Sequence, residues 1–375
     1  MHGKRLLSLG LITALLIAGT AGPALAVSEQ SRNRQSQDLQ QRLDRLTRID
    51  GLPGAIVHVT DQRGRTVTVT SGTAELGTGR RMVGPDARFR IASVSKPFIA
   101  VTVLKLGIDL DKPVERYLPG VLRGTGEGAA IDGRDITVRQ LLLQTSGLPE
   151  FADIVDWSKG PQDYLKLALS RKPTGEPGER WSYSNTNYLV AGMIVEKVTG
   201  RDYQAVTREQ IFDSLGMKDT YWPEPGELGI RGPHAHTYGV HPLTPDAGVI
   251  DVTELPGHEF GPSGGLISTP ADLNRFWRGV FEGRLLPAKT VHTMIAGMVP
   301  SGAVGDEYGL GVAREPLSCG GSAWFHDGDL PGVSTVSGTD RKGRQATVYV
   351  TGSADTPARR SDLYAVFDAA LCLKH

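Results

Sequence analysis

The sequence has few cysteines, no excess of charge of either sign and no long apolar run after its first residues. Its 41 basic residues equal its 41 acidic ones, so no basic surplus predicts a nucleic-acid partner. No block of like charges predicts binding to a membrane surface. No internal repeat or low-complexity tract is present in the sequence. The length of 375 residues fits one large domain or two interlocked ones.

The N-terminus has the three parts of a secretory signal peptide. A basic start at residues 4–5 precedes an almost wholly apolar stretch at residues 6–18, and Ala-Leu-Ala at residues 24–26 is a small-x-small cleavage site. A membrane anchor is the alternative, but the stretch is shorter than the roughly 20 residues of a span. We therefore expect residues 1–26 to be removed and the mature protein to be secreted without a membrane span.

Only two cysteines, Cys319 and Cys372, follow the predicted cleavage site. In an exported protein an even number of cysteines predicts disulfide bonding, which here means one bond. Two separate buried thiols are the alternative. The polar residues 27–37, which come directly after the cleavage site, predict a flexible linker.

Strand patterns lie near both ends of the chain, and helical patterns fill the middle. Alternating and β-branched runs predict strands at residues 55–60, 66–70, 333–336 and 346–350. Apolar residues at helical spacing predict helices at residues 39–49, 271–281 and 361–371. Strands from the two ends of a chain can share one sheet only if the middle is an inserted subdomain.

This order predicts two subdomains. The sheet subdomain would combine residues 38–112 with residues 262–375, and residues 113–261 would form the helical subdomain.

The segment that joins Ser93 to Lys96 and Pro97 places a hydroxyl and an amine at the start of a predicted helix. Pro97 is tolerated only in a first helical turn, so the helix starts near Ser93. Lys96 then lies on the same face, one turn further on. A lysine of lowered pKa can take the proton of a serine nucleophile. The alternative is a capping serine beside a solvated lysine.

Two further segments carry groups that suit the same chemistry. The phenol of Tyr183 becomes a base if cations depress its pKa, and the amide of Asn185 can bind a substrate carbonyl or the lysine. Their alternative is a core tyrosine followed by a helix-capping asparagine. In His-Asp-Gly-Asp at residues 326–329, Gly328 lets a substrate backbone approach closely, whereas the alternative is an ordinary Asp-Gly turn.

In this order, three motifs resemble those of the serine β-lactamases and penicillin-binding D-alanyl-D-alanine carboxypeptidases: Ser93-x-x-Lys96, Tyr183-x-Asn185 and His326-x-Gly328. The tyrosine marks the branch of class C β-lactamases and small exocellular DD-carboxypeptidases. The resemblance covers the chain from about residue 50 to its end. It implies an α+β fold of the β-lactamase/transpeptidase type, in which helices flank an antiparallel sheet and an all-helical subdomain is inserted.

The resemblance also implies a mechanism. Ser93 would attack an amide or ester carbonyl and form an acyl-enzyme, while Lys96 and Tyr183 handle its proton. The backbone N–H groups of Ser93 and Asp329 would bind the oxyanion. Enzymes of this branch need no metal or cofactor, and we expect none here. The implied substrate-binding residues are Asn185, His326, Gly328 and Asp329.

The implied substrate is a peptide or a β-lactam. Secretion and His326 favour a D-alanyl-D-alanine carboxypeptidase that acts on peptidoglycan-type peptides and binds penicillin. A class C-like β-lactamase, an esterase and a D-aminopeptidase share the mechanism and stay open. A non-catalytic penicillin-binding module is a more distant alternative, which the intact Ser93, Lys96 and Tyr183 oppose.

The third motif departs from the common family pattern at two positions. Threonines that help hold a substrate carboxylate in relatives are replaced by Asp327 and Asp329. Two carboxylates would repel a substrate carboxylate and attract an ammonium group. Alternatively, both side chains point away from the substrate, or Arg314 neutralises them.

Three histidines lie close together in a loop. Imidazoles at the spacing of His234, His236 and His241 can bind zinc. No carboxylate or cysteine lies at a matching distance in the sequence, so we expect no metal site.

Overall fold

The computed structural model describes residues 23–156, 162–255 and 260–373, with side chains from residue 36 onward. The predicted signal peptide therefore lies largely outside the described residues.

The helices are α1 (Pro23–Arg48), α2 (Ser95–Lys105), α3 (Val138–Leu142), α4 (Tyr164–Leu169), α5 (Asn185–Thr199), α6 (Tyr203–Thr207), α7 (Gly261–Gly264), α8 (Pro270–Phe281), α9 (Ala288–Ile295) and α10 (Pro357–Leu371). The strands are β1 (Gly54–Thr60), β2 (Thr66–Gly72), β3 (Phe89–Arg90), β4 (Tyr238–Val240), β5 (Val249–Asp251), β6 (Ile267–Ser268), β7 (Val299–Pro300), β8 (Glu307–Tyr308), β9 (Ala313–Pro316), β10 (Ser322–Leu330), β11 (Val333–Asp340) and β12 (Gln345–Val350).

One eight-stranded antiparallel sheet joins the two ends of the chain. Its strand order is β2-β1-β12-β11-β10-β9-β8-β7, and Ala55 of β1 pairs with Val350 of β12. The predicted hairpin of β1 and β2 and the predicted sharing of one sheet by both chain ends are confirmed. The division at residues 112 and 262 stays a prediction.

Each face of the sheet is covered by helices. The helices α1 and α10 pack on one face, where Leu39, Leu43 and Phe367 are buried against β-branched residues of β1 and β12. The helix α8 packs on the other face through Trp277, and α2 and α5 extend this second core away from the sheet. The strand β10, which lies inside the sheet, is therefore enclosed between two helical layers.

The strand β10 presents different chemistry to the two faces, because successive side chains of a strand point to opposite sides. Phe325 contacts Tyr364 and Phe367 of α10, at ring-centroid distances of 5.8 and 5.6 Å. Trp324 instead contacts Phe281 of α8 at 5.9 Å. By the same alternation Asp327 and Asp329 face α10. His326 and Gly328 lie on the opposite side of the sheet, the side that α8 covers.

Two sequence predictions are wrong in detail. Residues 27–37, predicted as a flexible linker, belong to α1, because Glu, Gln and Arg are good helix formers and this segment contains neither glycine nor proline. The middle segment is not all-helical, since β4 and β5 form a hairpin within residues 113–261. Across the described residues, no helix combines the length and the apolar character that crossing a membrane requires.

Candidate active site

Ser93 lies in a short 3₁₀ turn, Ala92–Val94, directly before α2. The α-helix itself begins at Ser95, so Pro97 stands in its first turn as predicted, but Ser93 precedes the helix. Ala92 has a φ of 50°, a left-handed conformation that is uncommon for a residue with a side chain. Such strained residues persist where their surroundings fix them, and they often occur at functional sites.

Gly328 of β10 closes against this turn. A Cβ atom at Gly328 would lie 2.5 Å from the carbonyl oxygen of Ile91 and 3.0 Å from the backbone nitrogen of Ser93. Any larger residue would push the Ser93 turn away from the strand. The requirement for glycine here comes from close contact between two backbones rather than from backbone conformation.

Lys96 is fully buried and makes three close polar contacts. Its Nζ lies 2.9 Å from Ser93 Oγ, 2.6 Å from Asn185 Oδ1 and 2.7 Å from the carbonyl oxygen of Ser263. Burial lowers the pKa of Lys96 to about 7, although the negative charges of Glu150 and Asp327 oppose the shift. A substantial fraction of the amine is therefore uncharged near neutral pH.

Tyr183 donates a hydrogen bond from its hydroxyl to Ser93 Oγ at 2.7 Å. Burial raises the pKa of Tyr183 well above its usual value, even though Lys96 Nζ lies 4.7 Å from its ring centroid. The sequence predicted a base on condition that cations depress this pKa. The shift has the opposite direction, because desolvation of a phenolate outweighs the nearby amine.

Asn185 is held from two sides. Its Oδ1 accepts the hydrogen bond from Lys96, while its Nδ2 and its backbone N–H donate to Glu150 Oε2 at 3.0 and 2.8 Å. The other oxygen of Glu150 accepts from the backbone N–H groups of Phe151 and Ala152, both at 2.7 Å. Glu150 was not among the predicted site residues.

His326 was predicted to bind substrate, but its side chain is fully buried. Its Nε2 lies 2.9 Å from the hydroxyl of Tyr308, and its ring centroid is 6.4 Å from that of Tyr183. Burial, followed by the charge of Lys96, lowers the pKa of His326 to about 3, so the ring is neutral at physiological pH. His326 can therefore act on a substrate only through its neighbours.

Asp327 and Asp329 are paired with α10 rather than with Arg314. Arg360 donates to Asp327 at 3.4 Å and to Asp329 at 2.8 Å, and Tyr364 donates to Asp327 at 2.9 Å. Arg314 pairs with Glu307 instead. Burial and the charge of Asp329 raise the pKa of Asp327 to about 6.

Arg360 and Tyr364 were not predicted as site residues. They lie four residues apart on α10 and so share one face. A search for a cation that could balance two adjacent acids could have singled them out from the sequence.

The two cysteines are paired in the structure, with Cα atoms 5.7 Å apart and a separation of 53 positions in sequence. The histidine cluster forms no metal site in the described part of the chain, where no group of three or more His, Cys, Asp or Glu side chains could hold an ion. His236 instead contacts Asp251, with Nδ1 2.6 Å from a carboxylate oxygen.

Related sequences match most of the chain. The sequence model of the family described as Beta-lactamase matches residues 39–371. Penicillin-binding protein 4* of Bacillus subtilis (strain 168) is 26% identical over 304 residues, which are 76% of this chain and 64% of that protein. Penicillin-binding protein 4 of Amycolatopsis lactamdurans is 29% identical over 259 residues, which are 67% of this chain and 65% of that protein. The chain thus spans less than two thirds of the length of these curated relatives.

Solved structures are similar over nearly their full length. A D-stereospecific amidohydrolase from Streptomyces sp. is 32% identical with a TM-score of 0.77, covering 90% of this chain and 98% of that one. D-amino acid amidase from Ochrobactrum anthropi SV3, complexed with L-phenylalanine amide, is 28% identical with a TM-score of 0.75 and the same coverage. The family match and the fold together show that this chain belongs to the β-lactamase family of serine hydrolases.

Proposed function

We propose that this protein is a serine amidohydrolase that cleaves amides of D-amino acids through an acyl-enzyme on Ser93. The substrate class is supported above all by the two acids on β10, Asp327 and Asp329. Both pair with Arg360, so this arginine is not available to bind a substrate carboxylate. The chemistry follows from the contacts of Ser93 and the substrate class from the charges around β10.

The contacts of Lys96 suit the neutral amine as the base. A neutral amine has two N–H donors and one lone pair, and two of its three neighbours, Asn185 Oδ1 and the Ser263 carbonyl, can only accept. Both N–H groups are then used, and the lone pair faces Ser93 Oγ. Lys96 would take the serine proton as Ser93 attacks the carbonyl carbon.

Tyr183 suits the opposite role, that of an acid. Its raised pKa keeps the phenol protonated, and its hydroxyl lies 2.7 Å from the attacking oxygen. It would donate a proton to the leaving amine when the tetrahedral intermediate collapses, and Lys96 would reprotonate it. In this proposal the backbone N–H groups of Ser93 and Asp329 stabilise the oxyanion.

The charges around β10 support a substrate that lacks a free carboxylate. Three cationic candidates near this strand are engaged or neutral: Arg360 pairs with both acids, Arg314 pairs with Glu307, and His326 is buried and uncharged. The side chains at positions 327 and 329 accept hydrogen bonds when ionised and cannot donate them to a carboxylate. Two acids facing one arginine leave a net negative charge, which favours a neutral or ammonium-bearing substrate.

The preference for D-amino acids rests on likeness to the two amidases named above, both of which are similar along nearly their whole length. A D-alanyl-D-alanine carboxypeptidase is the second candidate. The names of the two curated relatives and the His326-x-Gly328 motif favour it.

A substrate panel tests the proposal. We expect the wild-type enzyme to hydrolyse D-phenylalanine amide with a higher kcat/KM than L-phenylalanine amide, and to prefer both to a peptide that ends in free D-Ala-D-Ala. Nitrocefin would report β-lactamase activity. Preference for the D-Ala-D-Ala peptide over the D-amide would overturn the amidase proposal and restore the carboxypeptidase.

The nucleophile is tested separately with Ser93→Ala. Intact-mass analysis after exposure to penicillin should show a covalent adduct on the wild type only, and Ser93→Ala should lose amide hydrolysis. An adduct that persists on Ser93→Ala would place the nucleophile elsewhere.

A further inference from the structure

A large cavity opens beside Asp329 at the far end of β10. Its volume is about 610 Å³, within the range of small-molecule sites. Its walls come from six parts of the chain: residues 51–53, the loop that carries Leu76, the hairpin of β4 and β5, the β10–β11 turn with Leu330 and Pro331, residues 352–355, and the start of α10 with Arg359 and Arg360. None of these parts belongs to the Ser93 turn, to the helix that supplies Lys96 or to the loop that supplies Tyr183.

The walls of this cavity hold apolar side chains that face solvent. Leu76 is 52% exposed, Val240 48% and Val249 70%. Among the described residues only eight large apolar side chains are exposed, and these three of the eight line one cavity. Scattered exposed apolar residues are ordinary, whereas a group of them around one concave surface indicates a binding site.

The strand β10 runs from the nucleophile to the cavity. Gly328 packs against the backbone of Ser93, whereas Asp329 and Leu330, the next two residues, line the cavity. A strand rises about 3.3 Å per residue, so Leu330 lies roughly 7 Å beyond Gly328. A substrate whose carbonyl carbon is at Ser93 and whose chain follows β10 would enter this cavity.

The position of Tyr183 determines which part of the substrate points toward the cavity. The ring of Tyr183 lies beside His326, two residues before Gly328, whereas the cavity begins one residue after it. The leaving group must depart toward the hydroxyl that protonates it, which is the His326 end. The acyl part of the substrate then extends in the opposite direction, toward Leu330.

We propose that this cavity is an acyl-side subsite that binds an apolar alkyl or aryl substituent of the substrate, several atoms away from the scissile carbonyl. The inference rests on the acyl-enzyme chemistry proposed above, but not on a preference for D-amino acids. The charge of Asp329 would favour ammonium groups near the carbonyl, and Leu76, Val240 and Val249 would contact the apolar end.

A series of p-nitrophenyl esters with acetyl, butyryl and octanoyl groups tests the subsite, because only the acyl chain changes. In the wild type we expect kcat/KM for the octanoate to exceed that for the acetate by about tenfold or more, the discrimination that an apolar pocket provides. Val240→Asp and Leu76→Asp, on two different walls, should each lower the octanoate-to-acetate ratio by about tenfold. Two variants are used so that a folding defect in one does not decide the result.

Val198→Asp is the matched control, since Val198 is 45% exposed and lies near the end of α5, outside the cavity. It should keep the wild-type ratio. A wild-type ratio of one or less, or equal ratios in Val198→Asp and both wall variants, would overturn the subsite.

The same series separates this inference from the proposed function. Chain-length preference without turnover of D-amino-acid amides would support the subsite and refute the amidase. Turnover of D-phenylalanine amide with no chain-length preference would refute the subsite alone. Absence of turnover with every ester and with D-phenylalanine amide would refute both.

Discussion

At the scale of single residues, Lys96 and Tyr183 show how one environment produces opposite effects. Lys96 is fully buried and Tyr183 is partly buried, and both contact Ser93 Oγ. Burial disfavours the charged form of each group, so the pKa of the lysine falls to about 7 while that of the tyrosine rises. The neutral form of lysine is a base and the neutral form of tyrosine is an acid. Desolvation alone therefore assigns them different roles.

The first prediction concerns the pH dependence of acylation. Below its pKa Lys96 is protonated and cannot accept the serine proton, so kcat/KM for p-nitrophenyl acetate should rise with pH through a limb near pH 7. The limb should flatten above that pH, once the amine is neutral. Initial rates at limiting substrate between pH 5.5 and 9 measure this profile.

Tyr183→Phe is the control for this assignment, because it removes only the hydroxyl. We expect a loss of about 10²- to 10⁴-fold in the rate of amide hydrolysis, as for other general acids, with the limb near pH 7 retained. A limb that vanishes in Tyr183→Phe would assign it to the tyrosine. A flat profile in the wild type would remove Lys96 as the base.

At the scale of elements, the two sides of β10 have different roles: one borders the nucleophile and the other carries paired charges. One side of the strand carries His326 and Gly328 toward the Ser93 turn, and the other carries Asp327 and Asp329 toward Arg360 of α10. The last helix thereby fixes the strand that borders the active site. An acid on the α10 side influences the site through its charge rather than by contact.

The second prediction follows from the position of Asp327. Its pKa is about 6 in the folded protein against 3.8 ordinarily, so its contribution to stability is fully present below about pH 4 and is lost as the pH rises to 6. Asp327→Asn keeps an acceptor for Tyr364 and removes the charge. Relative to wild type, the variant should gain about 1–3 kcal/mol in free energy of unfolding between pH 4 and pH 7.5.

Urea unfolding at the two pH values measures this gain. Asp355→Asn serves as the matched control, because Asp355 pairs with Arg359, the neighbour of Arg360, but is largely exposed. It should change stability by less than about 1 kcal/mol at either pH. A gain for Asp327→Asn that is independent of pH would show that the carboxyl does not titrate as proposed.

At the scale of the whole molecule, the two chain ends are tied together twice. The β1–β12 pairing joins them within the sheet, and the Cys319–Cys372 pair joins the loop before β10 to the end of α10. The second link holds in place the helix that carries Arg360. It therefore connects the overall stability of the protein to the geometry of the strand beside Ser93.

The third prediction is that the protein forms this disulfide in an oxidising environment and depends on it. Closing a loop of 53 residues is worth about 4 kcal/mol in the chain-entropy view. A reductant, or the double variant Cys319→Ser/Cys372→Ser, should lower the free energy of unfolding by about that amount, measured in urea. The double variant should not respond to the reductant. Two free thiols in the oxidised protein, found by peptide mapping, would contradict the prediction.

The sequence by itself determined the fold class and the chemical groups of the site. Ser93, Lys96, Tyr183 and Asn185 were identified from short motifs, and the structure brings their polar atoms within hydrogen-bonding distance of one another. The spacing of residues within a turn or a strand is a local property, so it can be read without the tertiary structure. The hairpin of β1 and β2 was predictable for the same reason.

Only the tertiary structure decided the environment of those groups. The sequence left open whether Asp327 faces the substrate, points away from it or pairs with Arg314. In the structure Asp327 faces α10, where Arg360 and Tyr364, more than thirty residues away in sequence, donate to it. His326 is buried because Tyr308 and Tyr183 enclose it. Burial and long-range pairing depend on which distant segments meet. The direction of a pKa shift, the accessibility of a side chain and the cavity beside Asp329 therefore follow from packing, which a local sequence pattern does not contain.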